Sequence, residues 1–162
     1  MEPARGATEV VEHEIRVNAP PETVFGFFTE PAKMVRWMGV EATLDPRPGG
    51  VNRIAVNPDA IMLGEFIEVV PHSRVVFSWG WEDERFTVPP ASTLVEVTLS
   101  GDADGTHVRL THRRLPAAGV EFHKLGWEYY LGRLGLAAGG RDPGPDPWAD
   151  PEVARRLIER SQ

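Results

Sequence analysis

Gly126-Trp127-Glu128-Tyr129-Tyr130-Leu131-Gly132-Arg133-Leu134 is the stretch that decides the fold. From Pro116 onward Val120, His123, Trp127, Tyr130, Leu131, Leu134 and Ala138 recur at helical spacing and define one apolar face. Gly139-Gly140 ends the helix. Almost everything before it reads as strand, so one long helix must close over a sheet and give its open face cover. Gly126, Gly132 and Gly135 each cost about 1 kcal/mol against alanine in a helix interior. Three such costs point to close backbone packing or to space kept open beneath the helix.

Upstream, residues 8–17 alternate, with Val11, His13, Ile15 and Val17 on one face and Glu12, Glu14 and Arg16 on the other, as in a half-buried strand. Asn18-Ala19-Pro20-Pro21-Glu22 starts a short helix with Val24, Phe27 and Phe28 as its stripe. Thr29 is the expected cap of a second helix over 30–36. Strands are expected at about 40–45, 50–57, 61–70, 73–82, 92–100 and 105–114. The breaks are Pro48-Gly49-Gly50, Asn57-Pro58-Asp59, Pro71-His72 and Gly101-Asp102-Ala103-Asp104-Gly105. Short connections between successive strands imply an antiparallel meander. The expected class is α+β: seven antiparallel strands, two short helices after the first strand, and the long helix. The expected division is a flexible N-terminus at 1–7, a domain at 8–138, and a Pro/Gly-rich tail at 139–162 with a short terminal helix carrying Val153 and Leu157.

Composition narrows the function classes. Hydrophobic residues make up 41% of the 162, enough for a real core. The net charge of −7 repels phosphate backbones and anionic lipid surfaces, and no Lys/Arg cluster opposes it, so nucleic acid is not an expected partner. No apolar run is long enough for a membrane span, and residues 1–6 lack the apolar segment of a signal peptide. The chain has no cysteine, hence no disulfide and no thiolate chemistry. A cytoplasmic protein is the expectation. There is no nucleophile elbow, Walker sequence or dinucleotide fingerprint, and no close pair of histidines, so neither a cofactor nor a metal is expected.

The order of these elements and the residues at their joints resemble the START-like superfamily, the helix-grip fold. The nearest branch looks like the bacterial homologues of the activator of the ninety-kilodalton heat-shock-protein ATPase. The resemblance is carried by Ala19-Pro20-Pro21-Glu22-Thr23-Val24-Phe25, Pro31…Trp37, Pro48-Gly49-Gly50, Gly64-Glu65-Phe66-Ile67-Glu68-Val69-Val70-Pro71, Val76-Phe77-Ser78-Trp79, Gly105-Thr106 and Gly126-Trp127…Leu131. It implies a hydrophobic cavity between a curved seven-stranded sheet and the C-terminal helix. It also implies functional variety, from lipid carriage to cyclisation and co-chaperone work.

Period-2 counting supplies the candidate lining. Phe77, Trp79 and Trp81 share a face; Val95, Val97 and Leu99 face as Val108, Leu110 and His112 do; Asn52, Ile54 and Val56 form another face, as do Gly64, Phe66 and Glu68. The helices add Phe27, Trp37, Met38, Trp127, Tyr130 and Leu134. The expected ligand-binding set is Trp37, Asn52, Phe66, Phe77, Trp79, Trp81, His112, His123, Trp127 and Tyr130, many aromatics with few polar groups. For most of these residues taken singly, core filling is the simpler reading.

Three functions follow. Binding of an apolar or aromatic small molecule predicts an enclosed pocket of roughly 300 Å³ or more, open between Trp79, His112 and Trp127. A cyclase or hydratase would use His112 or His123 as general acid/base, with Asn52 or Tyr130 as donor to a carbonyl and with Glu68 as partner if Phe66 and Glu68, rather than the equally spaced Ile67 and Val69, form the buried set. Trp148 is expected to dock either on the body of the domain or on a second subunit, as in a homodimer, and a co-chaperone-like interaction module would use an exposed apolar patch around Trp148 and the last helix.

Overall fold

In the computed structural model residues 9–160 are described; the expected flexible segment 1–7 lies outside them. The strands are β1 (Glu9–Val17), β2 (Glu41–Leu44), β3 (Val51–Asn57), β4 (Ala60–Val70), β5 (Arg74–Trp79), β6 (Thr93–Asp102) and β7 (Gly105–Leu115). The helices are α1 (Pro21–Thr29), α2 (Pro31–Met34), α3 (Ala117–Ala138) and α4 (Pro151–Arg160). The seven strands form one antiparallel sheet in the order β1-β7-β6-β5-β4-β3-β2. The meander from β2 to β7 is as expected. β1 closes the far edge against β7, so α1 and α2 carry the chain from one edge of the sheet to the other.

Alternation decides which face is covered. Val95, Val97, Leu99, Val108, Leu110 and His112 are all buried. On the opposite face Glu12 and Glu14 pair with Arg109, and Glu96 pairs with Arg74 and Arg113. These ion pairs are exposed and contribute little each, but they keep that face in water and fix which side takes the helix. α3 lies along β1 and β7, burying His123, Trp127, Tyr130, Leu131 and Leu134. It ends where expected. Gly140 takes φ +86°, which lets Arg141 N–H reach Leu136 O (2.8 Å) and Gly140 N–H reach Ala137 O (3.1 Å), satisfying the last carbonyls.

Three expectations are corrected. Thr29 does not cap α2: its hydroxyl bonds back to Phe25 O (3.2 Å), and Glu30 holds the cap position through its backbone. Strand β5 stops at Trp79, because at Gly80 the chain folds against Pro89, whose oxygen would lie 1.7 Å from any Cβ there. Trp81 keeps one bridge, to Met62, and the 80–91 loop adds a 3-10 turn at Glu84–Phe86. On β4, where either set could be the buried one, Glu68 does not face inward: the register shifts between Phe66 and Glu68, so Val69 packs on the core while Glu68 pairs outside with Arg74 (3.2 Å). On α4 the buried pair is Ala154 and Ile158; Val153 and Leu157 are half-buried.

The tail is docked on the body. Arg133, buried on α3, donates to Trp37 O (3.0 Å), Pro143 O (3.3 Å) and Gly144 O (2.9 Å). Asp146 accepts from Tyr130 (2.8 Å) and Tyr129 (3.3 Å). Asn57, the last residue of β3, donates to Trp148 O (2.8 Å). Trp148 therefore sits against its own chain, its ring 6.0 Å from that of Phe122. No helix among the described residues is long and apolar enough to cross a membrane.

Candidate functional site

Two tryptophan–histidine pairs form the centre beneath α3. The Trp127 indole N–H donates to His112 Nδ1 (3.0 Å), since an indole nitrogen cannot accept. His112 therefore carries its proton on Nε2 and donates to Thr93 Oγ1 (2.7 Å), whose own hydroxyl donates to Trp79 O (2.8 Å). In the second pair the Trp81 indole N–H donates to His123 Nε2 (3.1 Å), while His123 Nδ1–H donates to Gly119 O (2.8 Å). Each histidine has both nitrogens engaged.

Burial sets their charge. His112 is pushed down to about 2 by desolvation and by the proximity of His123. His123 is pushed down to about 4, again by desolvation, with the Gly119 carbonyl opposing. Both imidazoles are neutral near pH 7. Neither has a nitrogen lone pair left to take a proton from a substrate, and this arrangement does not supply the expected general base.

The space expected to be open between Trp79, His112 and Trp127 is filled. The Trp79 ring centre lies 4.9 Å from Trp127 and 5.8 Å from His112, the spacing of packed rings. A cavity of about 520 Å³ lies beside this cluster; it is partly open to solvent and not the enclosed pocket expected. One wall is α3 as far as Tyr130, with Gly119, Phe122, His123, Gly126, Tyr129 and Tyr130. A second is the 80–91 loop, through Trp81, Arg85, Phe86 and Thr87; a third is Trp148 with Leu157 and Ile158 of α4. Trp79, Trp127, Met38, Val56 and Ala60 also border it.

Of the ten expected lining residues, Trp79, Trp81, His123, Trp127 and Tyr130 border this cavity. The others do not. Trp37 donates to Phe27 O (2.9 Å) and packs edge-on against Phe28 in the core. Phe66 and Phe77 pack edge-on with each other (6.2 Å), and His112 stands behind Trp79 and Trp127. Asn52 is buried on β3 away from the cavity. Tyr130 gives its hydroxyl to Asp146, and burial with that carboxylate raises its pKa. Counting by twos and by 3.6 missed Phe86, Phe122, Trp148, Leu157 and Ile158. Phe86 and Trp148 lie in irregular segments with no period to count, and Phe122 sits one step off the helix face turned to the sheet.

Polar chemistry around the cavity is sparse. Arg85 pairs with Asp83 (2.5 Å), and both Arg85 and Glu121 are exposed. Among the described residues two buried side-chain polar atoms have no hydrogen-bond partner, Trp79 Nε1 and Asn52 Oδ1. No three His, Asp or Glu residues among those described converge as a metal-binding group.

Comparison with known proteins agrees with this architecture. The family model described as Activator of Hsp90 ATPase homolog 1-like protein matches residues 18–138. The solution structure of an AHSA1-like protein from Rhizobium etli is 46% identical, with TM-score 0.71, covering 93% of this chain and 94% of that one. CalU16 from Micromonospora echinospora is 25% identical, with TM-score 0.63, covering 94% of this chain and 84% of that one. The Aha1 dimer from Colwellia psychrerythraea, at 17% identity, TM-score 0.69 and coverage of 82% and 98%, is similar in fold. A search of curated proteins found no match.

Proposed function

The chain belongs to the family of activator of Hsp90 ATPase homolog 1-like proteins, within the START-like superfamily, and from that premise we propose that it binds an apolar aromatic small molecule. The observation that carries this reading is the cavity of about 520 Å³ bordered by eight aromatic side chains, within the usual size range of small-molecule sites. Its position differs from the one expected. The ligand lies between α3, the 80–91 loop and α4, beside the filled Trp79–His112–Trp127 cluster rather than within it. The role is carriage or sensing rather than acid/base turnover, since both imidazoles are neutral and fully hydrogen-bonded.

A co-chaperone-like role has less support: Trp148 and α4, the expected contact surface, are turned onto the body of the same chain. For the same reason Trp148 gives no argument for a homodimer, and self-association rests on the dimer of the Colwellia homologue. Native mass spectrometry of protein purified from its source cells tests the ligand reading. The expected result is a discrete extra mass that disappears on denaturation. A clean polypeptide mass, together with no uptake of added aromatic compounds, would remove it.

A further inference from the structure

Gly126, Gly132 and Gly135 of α3 have different surroundings. A Cβ on Gly135 would touch Ile15 Cδ1 at 4.0 Å, ordinary contact. Gly132 has no atom within 4 Å of such a Cβ, but it is exposed and outside the cavity wall. Gly126 also has nothing within 4 Å, yet it borders the cavity. Close packing therefore does not explain Gly126, and the helix bears its cost of about 1 kcal/mol with room for a larger residue. What surrounds it is specific. Gly119, Phe122, Gly126, Tyr129 and Tyr130 follow one another at helical spacing along the cavity side, so Gly126 is a gap with an aromatic ring one turn away on each side.

We propose that Gly126 is a specificity-determining contact, where a planar, uncharged multi-ring ligand lies on the bare backbone of α3 between Phe122 and Tyr130. This rests on the reading of the cavity as a ligand site and names what fits it. From Phe122 to Tyr130 the helix rises about 12 Å, the scale of a few fused rings. Planarity follows from the gap: a flat face reaches the helix backbone there, and rings stand at either end to meet its edges. The absence of charge follows from the walls. His123 is neutral, Arg85 is already paired with Asp83, and Glu121 is turned to solvent, so a buried ionic group on the ligand would find no free counter-charge.

The test is a fluorescence titration with aminoanthracene, a neutral planar probe, on the wild type, Gly126→Leu, Gly126→Ala and Gly132→Ala. The wild type is expected to take up the probe. Gly126→Leu should weaken uptake about tenfold by filling the gap, and Gly126→Ala by less. Gly132→Ala should bind as the wild type does. Both alanine variants should raise the melting temperature, which shows that the loss at Gly126 is not a folding defect. Decanol, an apolar chain, should displace the probe about tenfold less well than unlabelled anthracene does. If the wild type binds the probe and neither Gly126 variant changes that, the contact assignment fails while the ligand site stands. Equal displacement by decanol would overturn the planar class. If the wild type takes up neither compound, the ligand reading itself fails.

Discussion

Trp81 and Trp127 each send an indole N–H to a histidine nitrogen, and that choice fixes the tautomer and charge of both imidazoles. The sequence places His112 and His123 on inward faces but says nothing about partners, because the donors come from a loop and a helix distant in the chain. Replacing His112 by leucine leaves the Trp127 N–H without an acceptor in the core, with an expected loss of about 2 kcal/mol at pH 7 in urea unfolding. The pH dependence has a definite sign. The folded histidines stay neutral well below 6.5, whereas the unfolded chain takes up protons there. The unfolded state thus binds more protons, and stability falls as pH drops below 6.5, down to about 4 for His123 and about 2 for His112. Above 6.5 this dependence is absent. The deficit of His112→Leu should therefore shrink by about 1.4 kcal/mol per pH unit on acidification through this window. A deficit that stays constant from pH 7 to about 5 would mean that His112 is not held neutral by the fold.

Among elements, the C-terminal tail departs most from its reading as a polar connector. Its docking depends on groups that look unremarkable in sequence: Arg133 reaching three carbonyls, Asn57 at the end of β3, and Asp146 under two tyrosine hydroxyls. A buried arginine is legible only once its acceptors are in place. Ending the chain after Arg141 removes Trp148, Leu157 and Ile158, which make up one wall of the cavity. The sheet and the cap of α3 do not depend on those three residues. The truncated protein should keep its far-ultraviolet circular dichroism, apart from the signal of α4. It should bind aminoanthracene about tenfold more weakly than the full chain. Undiminished binding would show that the tail packs beside the site without forming it.

At the scale of the molecule, a net charge of −7 coexists with a cavity whose bordering groups are mostly apolar or neutral. Uptake of a neutral probe should thus change by less than about twofold between 0.05 and 0.5 M salt. A steep salt dependence would instead point to an ionic ligand or a surface site. Among START-like proteins the scaffold alone names no ligand, and the same limit shows in how much the chain reveals before folding. Sequence alone determined the architecture. Alternation in β1, β6 and β7, the 3.6-residue period from Val120 to Ala138, and Gly139-Gly140 as its stop are local patterns, and each is set by which neighbours along the chain must leave water. It also marked Trp79, Trp81, His123, Trp127 and Tyr130 as inward. Only the tertiary structure decided which inward residues meet empty space and which meet one another. Trp37, Phe66 and Phe77 satisfy the same patterns yet fill the core, while Phe86 and Trp148, from segments without a period, border the cavity. The physical reason is that burial is dictated residue by residue through polarity, whereas a cavity is what remains after side chains from distant segments have packed.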